Sequence, residues 1–219
     1  MLDEQRPQPE QYEVHPALQR FADGIESVAL FIGRHWAALF NLILFIYVGL
    51  ALLAPALMAR GATLPAMVIY ALYSPACHQL PERSYFLFGQ SPVYDLEQLR
   101  GDGVELSDNL LLRRRYIGDS EHGWKVAICQ RDVAIYGSML AAGLLFALAN
   151  FRFPHLSWKL YLLFLIPMAL DGGSQLVGLR SATWWTRTFT GVLFGVATIW
   201  LLYPYLGDSM KGVGRKEGG

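Results

Sequence analysis

Apolar residues fall along this chain in blocks separated by short polar breaks and one long one. From Pro16 to Arg34 they recur as Leu18, Phe21, Ala22, Ile25, Val28, Ala29 and Ile32, with Arg20, Asp23 and Glu26 on the other side. That three-and-four spacing predicts an amphipathic helix over residues 16–34, lying on a bilayer surface or packed on neighbouring helices. His35 to Met58 carries no Asp, Glu, Lys or Arg. A hydrocarbon core of about 30 Å needs roughly 20 apolar residues, so this run predicts a first transmembrane helix with Trp36 at the interface. Thr63 to Ala76 is a shorter apolar segment with Pro65 and Pro75, read as a tilted or broken second span. Val133–Asn150, Leu160–Leu170 extended to Gly178, and Thr188–Leu206 complete the set, the last with Gly191 and Gly195 as a small-residue contact face.

The long polar break is residues 81–131. Ser84 to Phe88 and Trp124 to Cys129 read as short strands by their aromatic and β-branched content, paired as a small β-hairpin that joins the ends of the loop. Between them, Asp95 to Glu121 holds most of the charges and three glycines, which predicts a solvent-exposed insertion. A loop this long inside a compact domain tends to be functional or disordered. Residues 1–15 and 207–219 read as disordered tails. The expectation is therefore an all-α membrane protein with about five transmembrane helices in a domain over residues 35–206, the amphipathic helix ahead of it and the loop within it.

Composition agrees: 53% of the 219 residues are hydrophobic and 16% charged, against about a quarter charged in an average soluble domain. A net charge of zero without a basic stripe argues against nucleic acid as a partner and leaves the lipid bilayer and other membrane proteins. Placing the amphipathic helix and the loop on one face gathers twelve of the eighteen Lys and Arg there, so positive-inside counting predicts a multi-pass cell-membrane protein with its N-terminus and long loop cytoplasmic.

With five crossings, span two ends at Cys77, span three starts at Asp132, span four returns near Asp171 and Gln175, and span five leaves after Arg187. Cys77, His78, Arg83, Cys129, Arg131, Asp132, Asp171, Gln175, Arg180 and Arg187 then meet at one membrane face. Cys77, His78 and Cys129 supply two thiols and an imidazole, the donors taken by zinc or another thiophilic metal at roughly 2.0–2.3 Å, with His122, Asp132, Asp171 or water for a fourth position. A Cys77–Cys129 disulfide closing the loop, or two buried free thiols, account for the same cysteines. Cys77 and His78 are adjacent, which hampers joint ligation from a regular element. Asp171 and Gln175, four apart on one helix face, need a partner, because a carboxylate at the bilayer centre costs about 2.5–3.5 kcal/mol. Arg83, Arg131, Arg180 and Arg187 are the candidates. The pocket so formed suits an anionic headgroup or phosphate, and the same residues could equally form a structural ion-pair network. Walker, Ser-His-Asp and His-Glu-x-x-His patterns do not occur.

The set Cys77-His78-Gln79-x-Pro81-Glu82-Arg83-Ser84, Tyr85 to Gly89, Cys129-x-Arg131-Asp132 with Tyr136-Gly137, and Asp171-Gly172-x-x-Gln175 with Gly178-Leu179-Arg180-Ser181 resembles the prokaryotic domain-of-unknown-function family 2085. The resemblance covers about Thr63 to Leu202 and implies a small multi-span membrane protein without an assigned reaction. The insertion from about Gln90 to His122 is longer than that family's usual link. Two functions follow as expectations. The first is a metal- or thiol-dependent membrane protein acting on a lipid or anionic small molecule, with Asp171, Gln175, Asp132 and Arg180 as candidate catalytic residues. The second is a non-catalytic accessory subunit or assembly factor of a larger membrane complex, with the cysteines in a structural disulfide.

Overall fold

Nothing between Pro16 and Arg60 stops a helix, and the computed structural model, which describes residues 15–149, 153–177 and 183–213, has one unbroken α1 over Pro16–Ala59. Its glycines are isolated, its one internal proline, Pro55, is buried, and Gly61 at φ 77° turns the chain back after it. The surface helix and first span expected at 16–34 and 35–58 are thus a single rod of about 66 Å. The chain continues as α2 (Thr63–Tyr73), a 3-10 turn (Pro81–Arg83), β1 (Ser84–Leu87), α3 (Leu96–Gly101), α4 (Leu110–Arg113), β2 (Gly118–Asp119) and β3 (Gly123–Cys129). Then come α5 (Gln130–Leu148), α6 (Trp158–Leu176) and α7 (Trp184–Val213).

Among the described residues three helices, α1, α5 and α7, are long and apolar enough to cross a membrane. The expected second span falls short because α2 has 11 residues and rises about 16 Å, half a hydrocarbon core. α6 has 19 residues, but its last turns carry Asp171, Gly172, Gly173, Ser174 and Gln175, which dilute its apolar character. At the other end of the chain α7 runs past Leu206 to Val213, so helix replaces the first part of the expected tail. Residues 1–14 and 214–219 of the expected tails lie outside the described residues.

The packing of α1 on α5 and α7 fixes where the two ends of α1 lie. Tyr47 of α1 stacks edge-on with Tyr136 near the start of α5, while Ala37 and Leu44 share a cluster with Met139, Ala142 and Phe146 further along it. α1 and α5 are therefore antiparallel, and Trp36 packs on Tyr203 at the far end of α7. The beginning of α1 and the 81–131 loop lie at opposite ends of the bundle. α6 runs back between these ends, from Tyr161 beside Thr198 to Asp171 beside Arg131.

α5 and α7 pack most closely, and glycine is the reason. A Cβ on Gly195 would stand 2.1 Å from Ser138 Oγ and 2.4 Å from Ile135 O, and one on Gly191 would meet Ala134 Cβ at 2.9 Å, so only bare backbone fits. The small-residue face read from Gly191 and Gly195 is this contact.

The expected pairing of the loop ends is present: β1 and β3 are antiparallel with Ser84 opposite Cys129 and Phe86 opposite Lys125. β2 adds a third strand on the other edge of β3. The sheet is seated against helices, since Val126, Ala127 and Ile128 are fully buried in one cluster with Ala51 and Ala54 of α1 and Ala66, Ile69, Tyr70 and Tyr73 of α2. The insertion is also folded, contrary to a plain exposed loop. Phe86, Tyr94 and Leu99 form a small core with Val104, Leu106 and Tyr116, and Asp95 and Gln98 build a capping box on α3.

Candidate functional site

The end of α2, the end of β3 and the start of α5 meet at one point, and each brings one residue. Cys77 Sγ, Cys129 Sγ and an Asp132 carboxylate oxygen all lie within 4.8 Å of one another. Cys77 arrives in the turn that ends α2, its N–H bonded to Tyr73 O at 3.0 Å. Cys129 is the last residue of β3 and the N-cap of α5, so its N–H is free to donate to Cys77 Sγ at 3.2 Å. Asp132 occupies the first turn of α5, where the helix dipole favours a carboxylate. Tyr73, buried in the same cluster as Cys77, stacks on Tyr47, and Tyr47 stacks on Tyr136 one turn beyond Asp132.

The two thiols are free and not alike. Hydrogen bonds from the Cys129 thiol and the Gln79 N–H lower the Cys77 thiol below its ordinary range, against burial and the Asp132 charge. Donation to Cys77, then burial and Asp132, raise the Cys129 thiol. Cys77 is thus the first to ionise, and a thiolate and a carboxylate then share the group. The buried cation in range, Lys125, is wholly inside the protein and spends Nζ on the carbonyls of Gln79 (2.7 Å) and Arg114 (2.6 Å). Burial pushes its ammonium down to about 7.

His78 stands exposed and outside this group, its place as third donor taken by Asp132. Neighbouring side chains on an extended segment diverge, so burial of Cys77 turns His78 outward. His122, another expected donor, is held instead between Asp119 at 3.0 Å and Asp102 at 3.2 Å.

Asp171 and Gln175 are brought together as expected, and of the four candidate arginines Arg131 is the one paired with them. Arg131 Nη2 donates to Asp171 Oδ2 at 2.5 Å, and Gln175 Nε2 donates to the same oxygen at 3.0 Å and to Asp171 O at 2.7 Å. Asp171 Oδ1 and Arg131 Nε are buried without a partner among the described residues. A Cβ on Gly172 would stand in ordinary contact with Arg131 Nη1 at 3.4 Å, so the guanidinium lies beside Gly172 of α6. Arg180 lies outside the described residues. Arg187 is buried at the start of α7, its Nη1 at 3.4 Å from Gln130 Oε1 and 3.5 Å from Glu82 O. A cavity of about 770 Å³ opens beside it, lined by Arg83, Gln130, Gln175 and Arg187 and walled by α3.

Sequence reasoning named Gln79 only as part of a motif and did not single out Gln130 or Lys125. Gln79 adopts φ 51° and donates Nε2 to Tyr70 O at 2.9 Å and Ala127 O at 2.8 Å, which locks the Cys77 turn to the sheet. The available signal was a lysine directly before the apolar Val126-Ala127-Ile128 run of a strand with both faces covered.

Apolar rods, a polar centre at their ends and a folded cap are the features of a membrane protein. Residues 120–201 match the family described as "Predicted membrane protein (DUF2085)". The chain is also similar to an uncharacterized protein of Methanocaldococcus jannaschii, 30% identical over 143 residues that cover 64% of this chain and 69% of the relative. No solved structure matches. The chain belongs to the DUF2085 family.

Proposed function

We propose that this chain is a multi-pass membrane protein whose working centre is a metal site formed by Cys77, Cys129 and Asp132, with zinc or another thiophilic divalent ion as the metal and a lipid or anionic small molecule as the ligand acted on nearby. The observation that carries the reading is the convergence of two thiols and a carboxylate within 4.8 Å from three separate elements. Zinc bonds of about 2.0–2.3 Å place donors roughly 3.3–3.8 Å apart, so the three atoms need move inward by about 1 Å. A cation relieves the repulsion between Cys77 and Asp132 and displaces the Cys129 proton, since thiols bind metals as thiolates. Three protein donors leave a fourth position for water or substrate.

In this reading α1, α5, α6 and α7 cross the bilayer and α2 folds back part-way along α1. The seven Lys and Arg between residues 83 and 131 place the loop end on the cytoplasmic side. Elemental analysis of the detergent-purified full chain tests the metal. About one zinc per chain, lost in Cys129→Ser and in Asp132→Asn, supports it; metal-free protein with two titratable thiols refutes it.

A further inference from the structure

We propose that the cavity between α7, the start of α5 and α3 is a binding site for a phosphate ester, with Arg187 and Arg83 as its cationic wall. It rests on the anionic ligand of the preceding reading and not on the metal. Arg187 is 7% exposed, and its side chain makes two long bonds to neutral oxygens, Gln130 Oε1 at 3.4 Å and Glu82 O at 3.5 Å. Among the described residues no carboxylate pairs with Arg187 or Arg83. Of the acids within reach, Asp171 pairs with Arg131, and Glu82, which also lines the cavity, pairs with Arg113 through Oε1 at 3.0 Å while its Oε2 is buried without a hydrogen-bond partner among the described residues. Asp95 and Glu97 belong to the far wall, and Asp95 Oδ1 is taken up by the Gln98 N–H at 2.7 Å.

A guanidinium so buried without a counter-charge is costly, and an oxyanion that enters the cavity supplies one. Arginine suits phosphate because its planar fork offers parallel donors to two oxygens. Gln175, held by Asp171, forms the floor toward α6. The cavity of about 770 Å³ is far larger than a bare phosphate, and Val93, Tyr94 and Trp184 give its remaining wall an apolar surface for the ester's organic part. Trp184 opens α7 and is 50% exposed, the place of an interfacial tryptophan. A lipid headgroup entering from the bilayer and a soluble phosphate ester entering from water share this chemistry.

The test uses the full chain in two settings. In phospholipid-free detergent, glycerol 3-phosphate is titrated by calorimetry; in lipid nanodiscs, retention of phosphatidylglycerol over phosphatidylcholine is read by mass spectrometry. Binding in the first setting identifies the soluble source and in the second the lipid, and either supports the site if Arg83→Gln weakens it about tenfold or more and added salt competes. Arg187→Gln is expected to weaken it further; should that variant not fold, the exposed Arg83→Gln decides alone. No glycerol 3-phosphate binding together with equal retention of both lipids overturns the proposal, as does wild-type binding by Arg83→Gln. Zinc content measured on the same samples separates this failure from failure of the metal centre.

Discussion

Cys129 donates its backbone N–H to Cys77 Sγ across 52 residues of sequence, at 3.2 Å. Their contact lowers the thiol of Cys77 and raises that of Cys129. In metal-free protein, thiolate absorbance near 240 nm should show one cysteine ionising below the ordinary thiol range. Cys129→Ala removes the side-chain donor and should move that ionisation upward, whereas Cys77→Ala should leave a single thiol that ionises at high pH or not at all. Equal, ordinary titration of both thiols in the wild type contradicts this order.

Arg131 and Asp171 join α5 to α6 through a pair whose carboxylate side is 6% exposed. Breaking a buried pair strands the surviving charge, so Asp171→Leu should lower stability by about 3 kcal/mol. Arg131→Met in the same background removes the stranded charge and should recover about half of that loss. Denaturation of the four species in one detergent completes the cycle, and strictly additive losses argue against direct coupling.

Two glycines of the α5–α7 region behave differently. Gly195→Ala drives a methyl into the Ile135 carbonyl at 2.4 Å and should destabilise by about 1–3 kcal/mol, because backbone must shift. Gly137→Ala meets nothing within 4 Å and should be neutral or slightly stabilising through helix propensity. Melting temperatures of the two variants check the contrast.

His122 ties the insertion to the sheet through Asp119 and Asp102. Burial alone would lower its pKa, but the bonds and charges of these two carboxylates win and raise it. A histidine with a raised folded pKa adds stability that is complete below its unfolded value, about 6.5, and fades as pH climbs through the higher folded value. Asp119, held at about 2 by bonds from His122, Tyr116 and Glu121 against its own desolvation, makes a contribution that is complete above its unfolded value, about 3.9, and is lost as pH falls from there through about 2. Amide protection of residues 102 and 119–123, corrected for intrinsic exchange, should therefore be greater at pH 6 than at pH 8.5. His122→Asn should abolish the difference; protection that does not change with pH in the wild type rejects the clamp.

Much of this organisation is legible in the chain. The aromatic and β-branched runs at Ser84 and Trp124 pair as strands, and Asp171 and Gln175 share a helix face because four residues make one turn. The length of α2 is not legible from apolarity, since Thr63–Ala76 is apolar throughout and its helix has 11 residues. Asp132 displaces His78 for a local reason: the fold buries Cys77 and turns its neighbour outward, and hydropathy carries no information about that choice. The insertion's core was hidden because Tyr94, Leu99, Val104, Leu106 and Tyr116 follow neither helical nor strand periodicity.

The claim on which the account turns is that Cys77, Cys129 and Asp132 bind one metal ion together. Cobalt(II) added to the metal-free full chain reports thiolate ligation through a sulfur-to-metal charge-transfer band in the near ultraviolet and tetrahedral geometry through its visible bands. Both are expected at one equivalent, with the charge-transfer band halved in Cys129→Ser or Cys77→Ser and the visible bands altered in Asp132→Asn. Absence of a charge-transfer band at saturating cobalt, or a spectrum unchanged in Cys129→Ser, would contradict it.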